Sequence, residues 1–189
     1  MNDSTFNPER FYYMSEEIVR GDLIFQHTDF DNSYNLLKGS KPVEPVRFKY
    51  KKGSRQKDVI IGGGQVFLLS IELIEELRKY NLKGWDTFKI STSGKEDSPL
   101  EGYEGLFITG TAGSVDRSFS KEILRPNAIG IMKPVYVGPG FDPLTWWDGS
   151  DVFSLDCTIQ IIVSQQVKDI FKQFKTNNIR FTCVAEYSR

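Results

Sequence analysis

The sequence predicts an α+β fold: a mixed, mostly antiparallel set of strands with two principal helices packed on it. Three observations carry that expectation. Short apolar runs of strand length recur along the 189 residues. Two of those runs end in a serine and pass straight into apolar residues at helical spacing. A further strand-like run follows each of them, giving two strand–helix–strand modules.

The totals bound the class before any motif is read. A hydrophobic content of 39% with 13% aromatic residues belongs to a globular chain, not a disordered one. At this length a chain buries about 70% of its unfolded surface, so it folds without a disulfide or a structural metal. One domain over 1–189 is expected, or two intimately packed halves of about 1–100 and 101–189. Lys plus Arg is 24 against 25 for Asp plus Glu, and this near-neutral balance gives no support for non-specific nucleic-acid or membrane-surface binding. The polar first ten residues lack a basic segment followed by an apolar one, and no apolar run approaches the ~20 residues of a bilayer span. A soluble, cytoplasmic protein is expected. Cys157 and Cys183 read as reduced residues within strands. With a single histidine, His27, they cannot compose a usual zinc site.

Phe11–Met14 and Leu23–Gln26 are the first strand candidates, with Gly21-Asp22 as a turn before the second. Asp29 to Pro45 is rich in Asp, Asn, Ser, Gly and Pro and reads as a long surface loop. Asp29 and Asp31 resemble the start of a calcium loop, but no glycine or glutamate follows at the spacing such a loop needs. Val46–Tyr50 and Val59–Ile61 read as a hairpin whose tip is the basic turn 51–57. A solvated edge is the favoured reading of that tip over a phosphate site. Gly62-Gly63-Gly64 leads into a strand rather than a helix N-terminus, so it is a turn and not a nucleotide loop.

The first module follows. Val66–Leu69 is the strand and Ser70 the N-cap. Leu73, Leu77 and Tyr80 line one helix face with Ile74 at its margin, and Trp85–Ile90 is the closing strand. Residues 91–101 read as a polar loop. Leu106–Thr109 is a buried strand candidate. Ser118 and Lys121 match S-x-x-K, a nucleophile–base spacing, without the companion motifs of the enzymes that use it. Residues 127–140 read as a loop with a short strand at Val135–Val137.

Trp146-Trp147-Asp148-Gly149-Ser150-Asp151 is the chain's most unusual run. Tryptophans are mostly buried and Asp-Gly-Ser-Asp is turn chemistry, so a core plug followed by a turn is the favoured reading. A partner-binding anchor is next, with Trp146, Trp147, Asp148 and Asp151 as candidate contact residues, because Trp is over-represented at binding hot spots. The second module closes the chain: Ile159–Val163, the cap Ser164, then Val167, Ile170, Phe171 and Phe174, and finally Ile179–Val184. Few other residues match between the modules. Convergence on a common solution is favoured over duplication, and the sequence leaves open whether they share a sheet.

The order of these elements carries a resemblance. Lys57-Asp58-Val59-Ile60 leads through a glycine turn to Leu69-Ser70 and a helix. Trp147 to Phe153, with its Gly-Ser-Asp-Val-Phe, leads to Ile161-Ile162-Val163-Ser164, a helix, Asn178-Ile179 and Phe181. This arrangement, over roughly residues 57–186, resembles the immunity proteins of bacterial polymorphic toxin systems that end in a V-S-x-x-(V/L)-K helix and a short strand. The resemblance implies a non-catalytic protein whose partner is a cognate toxin domain that it binds and blocks. It supplies no catalytic residue, cofactor or metal. Some related families carry paired C-x-x-C-G zinc motifs, and this chain has none. Two other readings stand beside it: a carboxylate-based hydrolase using Asp148, Asp151 or Glu104, and a carbohydrate or small-ligand module stacking its ligand on Trp146 and Trp147.

Overall fold

The computed structural model describes residues 6–29, 33–38, 40–93, 99–144, 146–156 and 158–188. Two sheets and a separate ribbon hold its strands. The larger sheet has the spatial order β6 (Trp85–Phe88), β8 (Tyr103–Ile108), β5 (Phe67–Ser70), β4 (Val59–Ile61), β2 (Ile24–His27), β3 (Val46–Lys52), β7 (Ile90–Ser93). The smaller has the order β14 (Ile179–Cys183), β1 (Phe11–Glu16), β13 (Ile161–Ser164), β12 (Val152–Ser154), β9 (Gly110–Thr111). The ribbon pairs β10 (Lys121–Pro126) with β11 (Met132–Val137). Helices α1 (Ser33–Lys38), α2 (Ile71–Lys79) and α3 (Gln165–Phe171) complete the described elements. Pairing is mostly antiparallel, so the fold is the expected α+β. The two modules lie in different sheets.

Both cap serines act as their position predicts. Ser70 Oγ accepts from Leu73 N at 3.3 Å and Ser164 Oγ from Val167 N at 3.4 Å. Each serine is in extended backbone, so its side chain replaces a partner that the first helical turn lacks. α2 buries Leu73, Ile74 and Leu77, and α3 buries Val167, Ile170 and Phe171. The helix stripes are shorter than the spacing suggested. Tyr80 is the exposed C-cap of α2, and Ile74 takes the buried place expected of it.

The main core lies between the sheets and takes residues from both, including Phe67 and Leu106 of the larger and Met14, Ile161 and Val163 of the smaller. Adjacent side chains on a strand point to opposite faces. Ile162 therefore turns away from that core into a second cluster with Phe6, Phe11, Tyr13, Phe141 and Phe153.

The two sheets repeat one another. In each, the strand that ends in the cap serine lies between the first strand of a hairpin and a strand from the opposite half of the chain. Leu69 faces Val59 across the hairpin as Val163 faces Val152. Ser70 faces Tyr103 as Ser164 faces Phe11, and Trp85 faces Ile108 as Ile179 faces Glu16. Even the parallel neighbours match: β2 beside β4, and β9 beside β12. The hydrogen bonds repeat as well. Ser70 N donates to Asp58 O and Ser164 N to Asp151 O, both at 2.8 Å. Lys175 N donates to the Asp58 carboxylate at 2.7 Å, and Lys83 N reciprocally to that of Asp151 at 3.0 Å.

In chain order, each half runs first strand, hairpin, helix, last strand, but the first strands are exchanged. β1 sits in the sheet of the second half and β8 in that of the first. The two halves thus form an internal structural repeat whose shared registers and exchanged first strands go beyond the common strand–cap–helix–strand pattern.

Several local expectations change. β3 and β4 do not form a hairpin, because β2 lies between them, antiparallel to β3 and parallel to β4. The presumed cationic tip is instead folded onto Gly21-Asp22, and Lys57 is buried with its Nζ 2.7 Å from Asp22 Oδ2. The loop expected over 29–45 contains α1, whose Leu36 and Leu37 are fully buried in the main core. Asp29 is bonded to Arg47, and Asp31 lies outside the described residues. Of the two cysteines, Cys183 is a partly exposed free thiol, and Cys157 lies outside the described residues. β6 and β7 stand at opposite ends of the larger sheet yet are separated in the chain only by Lys89, whose carbonyl accepts from Val46 N. The sheet therefore rolls until its two ends meet, which shields edges that would otherwise invite strand addition.

Candidate functional site

Of the four residues singled out in the tryptophan run, Trp146, at 62%, and Asp148 are exposed, whereas Trp147 and Asp151 are half-buried. The Trp146 Cβ lies 2.7 Å from where a Cβ on Gly113 would stand, so Gly113, at φ +69°, lets the indole settle on the backbone. Trp147 packs edge-on to Phe6 and Phe11 and donates its indole N–H to Ser150 O at 3.1 Å. Asp148 covers the open edge of β9: its carboxylate accepts from Thr111 N at 2.9 Å and its own N–H donates to Thr111 O. It also accepts from Ser150 N. Asp151 accepts from Lys83 N, as above.

These placements make opposite predictions for adjacent tryptophans. Trp147→Ala empties part of an aromatic cluster and costs about 3–5 kcal/mol. Trp146→Ala leaves stability within about 0.5 kcal/mol. Urea titrations of the two variants check this; equal losses would mean that Trp146 is a core residue as well.

Glu104, the third candidate carboxylate, sits in a different place. With Lys41, Arg78, Asp86 and Lys89 it lines a cleft of about 390 Å³ between the larger sheet and the 41–43 segment. Lys89 and the Thr87 hydroxyl both donate to it, and Lys41 donates to Asp86. Burial alone would raise both carboxyls. The bonds to Glu104 from Lys89 and Thr87, and to Asp86 from Lys41, outweigh it and hold both below the usual carboxylate range. A general acid or base poised near neutrality needs the opposite shift. The cleft is charged, three cations against two carboxylates, and both carboxylates are engaged by lysines. Among the described residues no group of three or more His, Cys, Asp or Glu side chains is placed to hold a metal ion.

The feature that sequence reasoning missed is the ribbon. Among the described residues its strands pair only with each other, apart from one bridge between Val137 and Ser188. Residues facing each other across an antiparallel pair share a face. One face therefore carries Leu124 opposite Pro134 and Pro126 opposite Met132. Leu124 is 61% exposed and Met132 54%. Ile129 and Ile131, 78% and 55% exposed, extend this apolar surface at the tip. The tip is ordered by Asn127, whose side chain accepts from Ile129 N and Ile131 N at 3.0 Å, and by Gly130 at φ +80°.

The foot is ordered too. Asp116 N donates to Gly140 O, and the Arg117 guanidinium lies 5.0 Å from the centre of the Tyr136 ring. Val115, Phe119, Leu144 and Trp146 add exposed apolar surface there. A usable sequence signal existed: two short runs at 121–126 and 132–137 separated by a segment containing Asn and Gly.

Most of the exposed large apolar side chains thus lie between residues 115 and 146. No family model matches the chain, and no curated protein sequence matches it either. No helix among the described residues is long and apolar enough to cross a membrane.

Proposed function

We propose that this chain is a non-catalytic, immunity-type protein that binds a cognate bacterial toxin domain in the cytoplasm and blocks it. The observation that carries the reading is the crowding of exposed apolar side chains onto one stretch, residues 115–146, of a molecule whose candidate carboxylates are engaged in local hydrogen bonds. The order of motifs over residues 57–186, which resembles that of such immunity proteins, supplies the partner class. Occlusion needs a rigid body with a sizeable contact face and a few large anchors, and no reactive group.

The test uses the C-terminal domain of the protein encoded by the adjacent gene. Co-expression of this chain is expected to relieve that domain's toxicity, and the purified proteins to form a 1:1 complex with a Kd in the nanomolar range, about −12 kcal/mol. Undiminished toxicity together with no complex by calorimetry would overturn the proposal.

A further inference from the structure

Building on the binding function proposed above, we infer that Trp146 is the anchor of the contact, and that the partner receives it in an apolar pocket with a cationic rim.

Leu144, Trp146 and Asp148 all face solvent, while Trp147, which interrupts them, turns into the Phe6–Phe11 cluster. The segment 111–116 runs beneath them. Trp146 sits on Gly113, Asp148 bonds Thr111 two residues earlier, and Asp116 N donates to Gly140 O two residues before Asp142. Asp142 in turn accepts from Trp146 N through its carbonyl, and its charge is felt at the Asp116 carboxyl. Three carboxylates, of Asp116, Asp142 and Asp148, therefore stand around one exposed indole. Asp156 also reaches Thr111, but Lys38 lies 3.9 Å from it and offsets its charge.

The surrounding chain keeps the field of one sign. Residues 134–167 contain four aspartates and no lysine, arginine or histidine. Arg117, next to Asp116 in sequence, lays its guanidinium against the Tyr136 ring.

The bonding of the acids decides what they select. Asp116 accepts from Ser118 N, Asp142 from Leu144 N, and Asp148 from Thr111 N and Ser150 N. These bonds occupy acceptor sites that sugar hydroxyls would use, yet they leave the negative charge in place. Hydrogen bonding from Ser118 holds the Asp116 carboxyl below its usual range in spite of Asp142 nearby, so it stays ionised at neutral pH. A negative rim repels phosphate, which disfavours nucleic acid and an anionic membrane. It attracts lysine and arginine, and a guanidinium can stack on the indole as well. Val115 and Leu144, 42% and 79% exposed, extend the apolar surface past the indole; a protein covers them, whereas a small cation would not. The same backbone bonds fix Trp146 before contact, so little ordering remains to be done on binding.

Calorimetry against the adjacent gene's C-terminal domain compares wild type, W146A and D116N/D142N/D148N at about 0.05 and 0.5 M salt. Asparagine keeps the oxygen that each backbone N–H needs, so the triple amide is expected to unfold at the wild-type temperature and to differ in charge alone. W146A is expected to bind about a hundredfold more weakly at either salt. Wild-type affinity is expected to fall about tenfold from low to high salt, and the triple amide to bind at low salt as weakly as wild type does at high. Tight wild-type binding that W146A retains, or that salt leaves unchanged, would overturn the assignment while leaving the binding function intact; both readouts stand even if the triple amide is unstable. A wild type that binds nothing would sink both. Two further results would also overturn the assignment: wild-type self-association abolished by W146A, which makes the occupant a second copy, or quenching of tryptophan fluorescence by cellohexaose that W146A removes.

Discussion

Expressed alone, residues 1–100 remain unfolded and residues 101–189 do the same, whereas the two fragments mixed together recover the far-ultraviolet dichroism and cooperative urea transition of the intact chain. The expectation follows from which half supplies each central strand. β6 has one neighbour in the larger sheet, β8, and β8 belongs to the second half. β14 has one neighbour in the smaller sheet, β1, and β1 belongs to the first. Cutting the chain in two thus strands a β-segment in each piece and opens the shared core, which draws on both halves. A domain this size is stable by only about 5–15 kcal/mol, far less than the burial lost. A cooperative transition in either fragment by itself would show that the exchange is dispensable.

The second large effect is expected at Asp22. Its carboxylate accepts from Lys57 Nζ at 2.7 Å and Arg55 Nε at 2.9 Å, and both it and Lys57 are buried. Asp22→Ala leaves the Lys57 ammonium without its partner inside the protein, at a cost of about 3–5 kcal/mol. For a domain of this size that lowers Tm on the order of 10 °C. Replacing both partners by apolar residues, Asp22→Leu with Lys57→Met, is expected to cost less than the two single changes added together, because no charge is then stranded.

The pH dependence has a definite sign. Burial pushes the Asp22 carboxyl up, but the bonds from Lys57 and Arg55 outweigh it and hold the folded-state value below the usual one. The stabilisation is then complete above the unfolded value of about 3.9 and is lost as pH falls through the depressed folded value. Acid unfolding of Asp22→Ala should be correspondingly shallower below about pH 4. An unchanged acid limb would assign the acid sensitivity elsewhere.

What the sequence revealed, and what it hid, divides by range. Ser70 and Ser164 were legible because a cap and an amphipathic stripe are local: the hydroxyl, the first-turn N–H and the apolar spacing lie within a few residues. The pairing of β2 between β3 and β4 was not, because a parallel neighbour is chosen by packing across the sheet and leaves no turn to read. Lys57 looked like part of a solvated basic run, since nothing near it in sequence announces Asp22 as its partner.

The same holds for the candidate surface. Trp146 and Trp147 are identical by composition and neighbours in sequence, yet the backbone at Gly113 and the Phe6–Phe11 cluster place one outside and one within. Of the ribbon, only Val135–Val137 was read as strand, because neither β10 nor β11 alternates apolar with polar residues against a core.

The exchange of β1 and β8 has a consequence for how a surface of this kind can arise. Two separate copies of one unit, trading first strands, would display every outgrowth twice, on symmetric flanks. Joining them in one polypeptide removes that obligation. The insert between β1 and β4 folded inward as β2, α1 and β3 to finish a rolled wall, while its counterpart between β8 and β12 kept only β9 in the sheet and sent a lever outward. Covalent linkage thus lets one flank close a sheet while the other projects from it, and among the described residues leaves a single such lever on each molecule.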